Sequence, residues 1–237
     1  MRSSRPPLFR NRQFEPVIIV TCVRWYWRFS LSLRGLEELM AERGLAMDHT
    51  TIFRWDPSVR TRGASAAAGQ LKLKSSTWHV DETFVRIAAR WLYLFRAVDS
   101  RCQTVDVYLS ETREREAAKC FLRKAMEDPG NLPPRVFARD GLRSYPAAIR
   151  DLQGKGRLHR GCRHRTRRYA NNRIESDHRS IKRRLRAIEG PRTILTARTL
   201  IQSLEAVHMI RKGQVLGITR KNLHGQAWVF GALLGVR

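Results

Sequence analysis

The chain has 237 residues, 42% of them apolar, which is enough for one sizeable core and a small additional domain. Lys and Arg total 46 against 21 acidic residues, and the resulting net charge of +25 favours a polyanionic partner, either nucleic acid or an anionic membrane surface. A membrane span is excluded, because the most apolar stretches, 17–23 and 228–236, are far below the ~18 residues a spanning helix needs, and no small-residue cleavage site marks a signal peptide.

Residues 1–13 are basic, contain Pro6 and Pro7, and read as an arm. Between residues 15 and 29 the apolar side chains Val17, Ile18, Val20, Cys22, Trp25 and Phe29 recur at roughly helical spacing. Ser32 is placed to cap a second helix, with Leu33, Leu36, Leu39 and Met40 on one side and Gly44 ending the run. Asp48 then opens a short helix over 49–55. Two short helices joined by a glycine-containing turn predict a helix-turn-helix in residues 1–56, with His49, Thr50 and Arg54 as its DNA contacts. Many paired helices share that pattern, and the net charge is what favours DNA.

Pro57 cannot continue the helix, and residues 57–76 read as a flexible linker rich in Gly, Ala and Ser. Beyond Ser76 the periodicity shortens. Residues 78–87, 91–98 and 105–109 predict three strands in an antiparallel meander. A helix is expected over 111–126, a strand over 135–140, a helix over 145–153 and a short strand at 157–161. The last two helices are expected at 172–185 and 194–211. That order predicts an α/β domain over 77–190, a mixed sheet flanked by helices as in ribonuclease H-like domains, with a helical tail over 191–237.

The four cysteines have no paired spacing, so neither a zinc ribbon nor a disulfide framework is indicated, and reduced thiols in the cytoplasm fit best. His159, Cys162 and His164 sit close enough in sequence to suggest a metal, but read better as members of a basic segment lying near phosphate.

Attack on a phosphodiester requires charge neutralisation on the entering and the leaving oxygen, which two Mg²⁺ ions ~3.5–4 Å apart supply through carboxylate ligands. Asp81 lies in the first strand, with Glu82 directed to the opposite face. Asp140 ends the fourth strand. Glu175 lies near a helix start, with Asn171, His178, Arg179 and Lys182 within ~60° of it and Asp177 pointing away. Residues 151–190 carry 13 basic and 4 acidic side chains, which places the DNA path there. From spacing alone a bland alternative stays open: Asp81 at a solvated strand edge, Asp140 as a turn former, and Glu175 paired with Arg179.

Several segments resemble the DDE transposases of the insertion sequence six family. They are Trp78-His79-Val80-Asp81-Glu82-Thr83-Phe84, Tyr93-Leu94-Phe95-Arg96-Ala97-Val98-Asp99-Ser100, Asp140-Gly141 with Tyr145-Pro146, Tyr169-Ala170-Asn171-Asn172-Arg173-Ile174-Glu175-Ser176-Asp177-His178, and Met209-Ile210-Arg211-Lys212-Gly213-Gln214. The 34 residues between Asp140 and Glu175 match the family's spacing, as do Val23-Arg24-Trp25-Tyr26 and Asp48-His49-Thr50-Thr51-Ile52 near the amino terminus. The resemblance implies a ribonuclease H-like fold with Asp81, Asp140 and Glu175 as ligands of two Mg²⁺ (or Mn²⁺) ions. It also implies a helix-turn-helix that reads terminal inverted repeats in double-stranded DNA, and a homo-oligomer acting on paired ends and target DNA in the cytoplasm at the nucleoid. His178, Arg179, Lys182, Arg183 and Arg184, with Asn171, are the residues expected to meet phosphate.

The chain departs from the family pattern in two places. The stretch after Trp55 is Asp56-Pro57 and an Ala/Gly/Ser run where the family continues its helix. Ala88-Ala89 stands where a hairpin glycine is expected. The rival to an enzyme is a non-catalytic DNA-binding protein, a regulator or an inactive transposase remnant.

Overall fold

The structure, a computed structural model, describes residues 5–55, 70–87, 89–139, 144–166, 172–187 and 193–236. At the amino-terminal end Pro16 occupies the first helical position, where a missing N–H is no loss. The helix it opens, α1 (Pro16–Arg28), buries Ile19, Val20, Cys22, Val23, Tyr26 and Trp27. The Ser32 hydroxyl accepts a hydrogen bond from the Gly35 N–H at 3.0 Å and caps α2 (Leu33–Ala41), as its position before an apolar-periodic run predicts. Gly44 adopts a φ of +74°, the left-handed conformation that ends a helix without a Cβ clash. Asp48 accepts from the Thr50 N–H at 2.7 Å at the start of α3, described over residues 49–55.

Asp56 and most of the expected linker fall outside the described residues. Its final part is well tied down. Leu71 forms a β-bridge with Val215, and the Ser75 N–H donates to Asp99 Oδ2 at 2.8 Å. Lys74 is buried.

The expected meander forms as β1 (Thr77–Ile87), β2 (Arg90–Asp99) and β3 (Thr104–Ser110), each antiparallel to the next. Ala89, at the β1–β2 turn, takes a φ of +63°, the conformation for which a glycine had been expected; Ala88 is outside the described residues. Then follow α4 (Arg115–Glu127), β4 (Val136–Arg139), α5 (Ser144–Gly154), β5 (Arg163–Thr166) and α6 (Asn172–Ala187). The sheet order is β3-β2-β1-β4-β5, with β4 parallel to both β1 and β5. A mixed sheet of this order and sense, with helices between its parallel strands, is the ribonuclease H-like α/β arrangement expected. On one face Trp78, Val80, Phe95 and Ala97 pack with Phe121 of α4 and Tyr145 of α5.

Three elements differ from the sequence expectation. Helix α4 begins at Arg115 because residues 111–114 turn away from β3, with the Thr112 N–H donating to Ser110 Oγ at 3.2 Å. Residues 157–161 make a turn, not a strand: Gly156 is at φ +68° and the Gly161 N–H donates to His159 Nδ1 at 3.0 Å. The strand is β5, which starts six residues further on. Helix α7 (Ile194–Lys212) is followed by an unexpected α8 (Leu223–Ala232), which packs on α1. Asn222 caps α8 by accepting from the Gly225 N–H at 2.7 Å. Buried Gln226 accepts from Arg28 Nη1 at 2.9 Å.

The chain divides into two compact units. One falls within Met1–Leu71, Arg183–Glu189 and Gln202–Arg237, and the other within Lys72–Lys182 and Gly190–Ile201. No helix among the described residues is long and apolar enough to cross a membrane.

Candidate active site

Strand alternation sets the site's first carboxylate. Trp78 and Val80 point into the core beneath α4 and α5, so Asp81 projects from the other face of the central strand. Its cross-strand partner on β2 is Arg96, which shares that face and is fully buried. Over this pair lies the first part of α6. Ile174, Asp177, His178 and Ile181 are buried at the spacing of one helical stripe, while Glu175, Ser176 and Arg179 are exposed. Asp177 lies ~200° around the helix from Glu175, as the helical angle predicts, and its carboxylate turns inward.

One charge pair and one polar approach tie α6 to the sheet. Asp177 Oδ2 is 3.6 Å from Arg96 Nη2, and His178 Nδ1 is 3.6 Å from Asp81 Oδ2. Burial, reinforced by the Arg96 and Lys182 charges, pushes His178 down from 6.5 to about 3. At neutral pH its imidazole is therefore uncharged. Its Nε2 is buried and has no hydrogen-bond partner among the described residues.

His178 had been expected to orient phosphate. The structure instead turns it inward against Asp81, because residues 177 and 178 continue the buried stripe begun by Ile174. Arg184 is a second correction. It is buried, its guanidinium lies 4.3 Å from the centre of the Tyr26 ring, and its Nη1 donates to the Leu31 carbonyl at 2.9 Å. Among the described side chains of α6, Arg179, Arg183 and Arg186 are exposed and Lys182 is half-buried, and these are the cations it offers a polyanion.

Asp81 and Glu175 carry hard oxygen donors of the type a divalent cation takes, and His178 adds a buried nitrogen beside Asp81. The two carboxylates are of the oxygen-donor type that Mg²⁺ or Mn²⁺ takes. Asp140 and Asn171 lie outside the described residues; Asp140 follows directly on Arg139, the last residue of β4.

In the amino-terminal unit Thr50 and Arg54 are exposed on α3, and Met47, Ile52 and Trp55 are buried. His49 is half-buried, with Nδ1 2.9 Å from Glu37 Oε2, and the same carboxylate accepts from the His49 N–H at 3.3 Å. Asp48 Oδ2 stands 3.8 Å from that ring, so Glu37, Asp48 and His49 form a small cluster of oxygen and nitrogen donors.

Sequence reasoning singled out neither Arg96 nor Asp177 as part of the site. A signal existed for the first: an arginine in the middle of the apolar run Leu94-Phe95-Arg96-Ala97-Val98, where a charge is tolerated only with a partner.

Residues 75–214 match the model of a family described as a DDE domain. The transposase for insertion sequence-like element IS431mec of Staphylococcus aureus is 30% identical over 204 residues, 86% of this chain and 88% of that protein. The transposase for insertion sequence element IS257 in transposon Tn4003, from the same organism, matches to the same extent, 30% over 204 residues. Among solved structures, the catalytic core domain of HTLV-2 integrase in complex with magnesium (dimeric form) is 16% identical. It covers 64% of this chain and 97% of its own, with a TM-score of 0.44.

Proposed function

This chain belongs to the insertion sequence six family of DDE transposases, and from that premise we propose that it cuts and joins DNA strands at element ends through Asp81, Asp140 and Glu175. The observation that carries this is the placement of Asp81 on the central strand, facing the helix that bears Glu175 and held next to that helix's His178. The β1–β4 register supports the third carboxylate. It pairs 77 with 136 and 79 with 138, a separation of 59, which is also the separation of Asp81 and Asp140.

The three carboxylates would hold two Mg²⁺ or Mn²⁺ ions. When bound, such ions activate a hydroxyl nucleophile and stabilise the departing oxygen of the phosphodiester. The protein's own groups do the rest. Arg179, Lys182 and Arg183, with Asn171, meet the DNA backbone. Neutral His178 fixes the Asp81 carboxylate. Thr50 and Arg54 of α3, with His49 buttressed by Glu37, read the terminal inverted repeats, and a homo-oligomer brings two ends and the target DNA together.

The test is strand joining by the purified chain on duplexes carrying the element's ends, in Mg²⁺. Asp81→Asn, Asp140→Asn and Glu175→Gln should each abolish joining and leave end binding in place, because binding rests on other residues. Joining at the parental rate by Asp140→Asn would refute the triad. A parent that binds ends and never joins them would be the non-catalytic remnant.

A further inference from the structure

We propose that Arg96 and Asp177 are positioning residues that set the rotation of α6, and with it the place of Glu175 relative to Asp81; this rests on the carboxylate reading above. Arg96 is fully buried and is the cross-strand neighbour of Asp81. A buried guanidinium is held only where an anion answers it, and Asp177 does so at 3.6 Å from α6. The next residue, His178, stands 3.6 Å from Asp81.

Two consecutive helix residues thus meet the two members of one cross-strand pair. Ile174 and Ile181 hold α6 down through apolar contact, which is non-directional and permits rolling and sliding. The charge pair is directional. Rolling α6 by one residue, 100°, would withdraw Asp177 from Arg96 and leave both charges buried without each other. Glu175, on the side of the helix away from Asp177, can keep one position only while that contact holds. Arg96 also places a permanent positive charge beside Asp81, where the proposed site concentrates carboxylates.

The test uses the full chain, Asp177→Asn, which keeps shape and removes charge, and Arg96→Met/Asp177→Leu, which removes both charges and leaves neither orphaned. Mn²⁺ affinity is read from the free-ion spin resonance signal, duplex binding from anisotropy, folding from thermal unfolding, and joining at saturating Mn²⁺ and DNA. Both variants should bind duplex as the parent does, hold Mn²⁺ at least tenfold more weakly, and join strands roughly a hundredfold more slowly, the loss that ~1 Å of misplacement brings. Asp177→Glu, which restores the charge at a longer reach, should recover part of the loss. If the single variant fails to fold, the double variant decides. A folded double variant that binds Mn²⁺ and joins DNA like the parent overturns the proposal, as does a slowdown with Mn²⁺ affinity unchanged. A parent that itself neither binds Mn²⁺ nor joins DNA overturns the carboxylate reading instead, and the positioning role falls with it.

Discussion

Arg183 and Arg184 are adjacent in sequence and identical in charge, yet their replacement by alanine should have opposite consequences. Arg183 is exposed. Removing it should cut the salt dependence of DNA binding, lowering the slope of log affinity against log salt by about 0.9 if it neutralises one phosphate. Stability should change by no more than ~0.5 kcal/mol. Arg184 is 4% exposed, with its guanidinium over the Tyr26 ring at 4.3 Å and a 2.9 Å hydrogen bond to the Leu31 carbonyl. A desolvated cation–π contact is worth ~2 kcal/mol and a charged hydrogen bond ~1.5–3 kcal/mol. Because such terms do not add fully, Arg184→Ala should lose roughly 2–4 kcal/mol. At ~2–4 °C per kcal/mol for a chain of this size, the melting temperature should drop by about 5–15 °C. The salt slope should stay put. Fluorescence anisotropy on an end duplex between 50 and 200 mM salt measures the slope, and thermal unfolding measures stability. If Arg184→Ala flattened the slope as Arg183→Ala does and left melting unchanged, the inward placement of Arg184 would be wrong.

Ala89 holds a φ of +63°, which costs an L-residue ~1–2 kcal/mol, while glycine loses ~0.5–1 kcal/mol of chain entropy. Ala89→Gly should therefore stabilise by about 0.5–1 kcal/mol and Ala89→Val should destabilise in chemical denaturation; the reverse order would contradict the turn geometry. Burial pushes the Cys22 and Cys162 thiols up from 9.0 to about 11, which leaves roughly a hundredfold less thiolate at pH 8. Iodoacetamide at that pH should label the partly exposed Cys102 and Cys120 and reach the other two only in denaturant, as peptide mass mapping will show; rapid native labelling of Cys22 would argue against its burial. Chelation by EDTA should stop strand joining and leave end binding within about twofold; a parallel loss of binding would mean that the metal serves recognition and not chemistry.

The sequence by itself determined which side chains share a face. Period-two runs marked β1 to β3 and put Asp81 opposite the core residues Trp78 and Val80. The helical angle separated Glu175 from Asp177. Ser32, Gly44 and Asp48 marked the ends of the short amino-terminal helices through bonds that span only two or three residues. Such features are local, so local pattern carries them. What a face meets is decided by segments distant in the chain. Nothing near His178 says that it will stand against Asp81, nearly a hundred residues earlier, and lose its charge there, and nothing near Arg184 announces Tyr26. Strand β5, Arg163-His164-Arg165-Thr166, has no apolar alternation and exists because the edge of β4 offers it hydrogen bonds. Helix α8 spreads its apolar residues around its whole circumference and carries Gly225 and Gly231, so it shows no period; it forms where α1 gives it a surface to bury against. Burial and ion pairing depend on where the folded chain removes water. For that reason the inward turn of His178 and Arg184, and the pairing of Arg96 with Asp177, were settled only by tertiary structure.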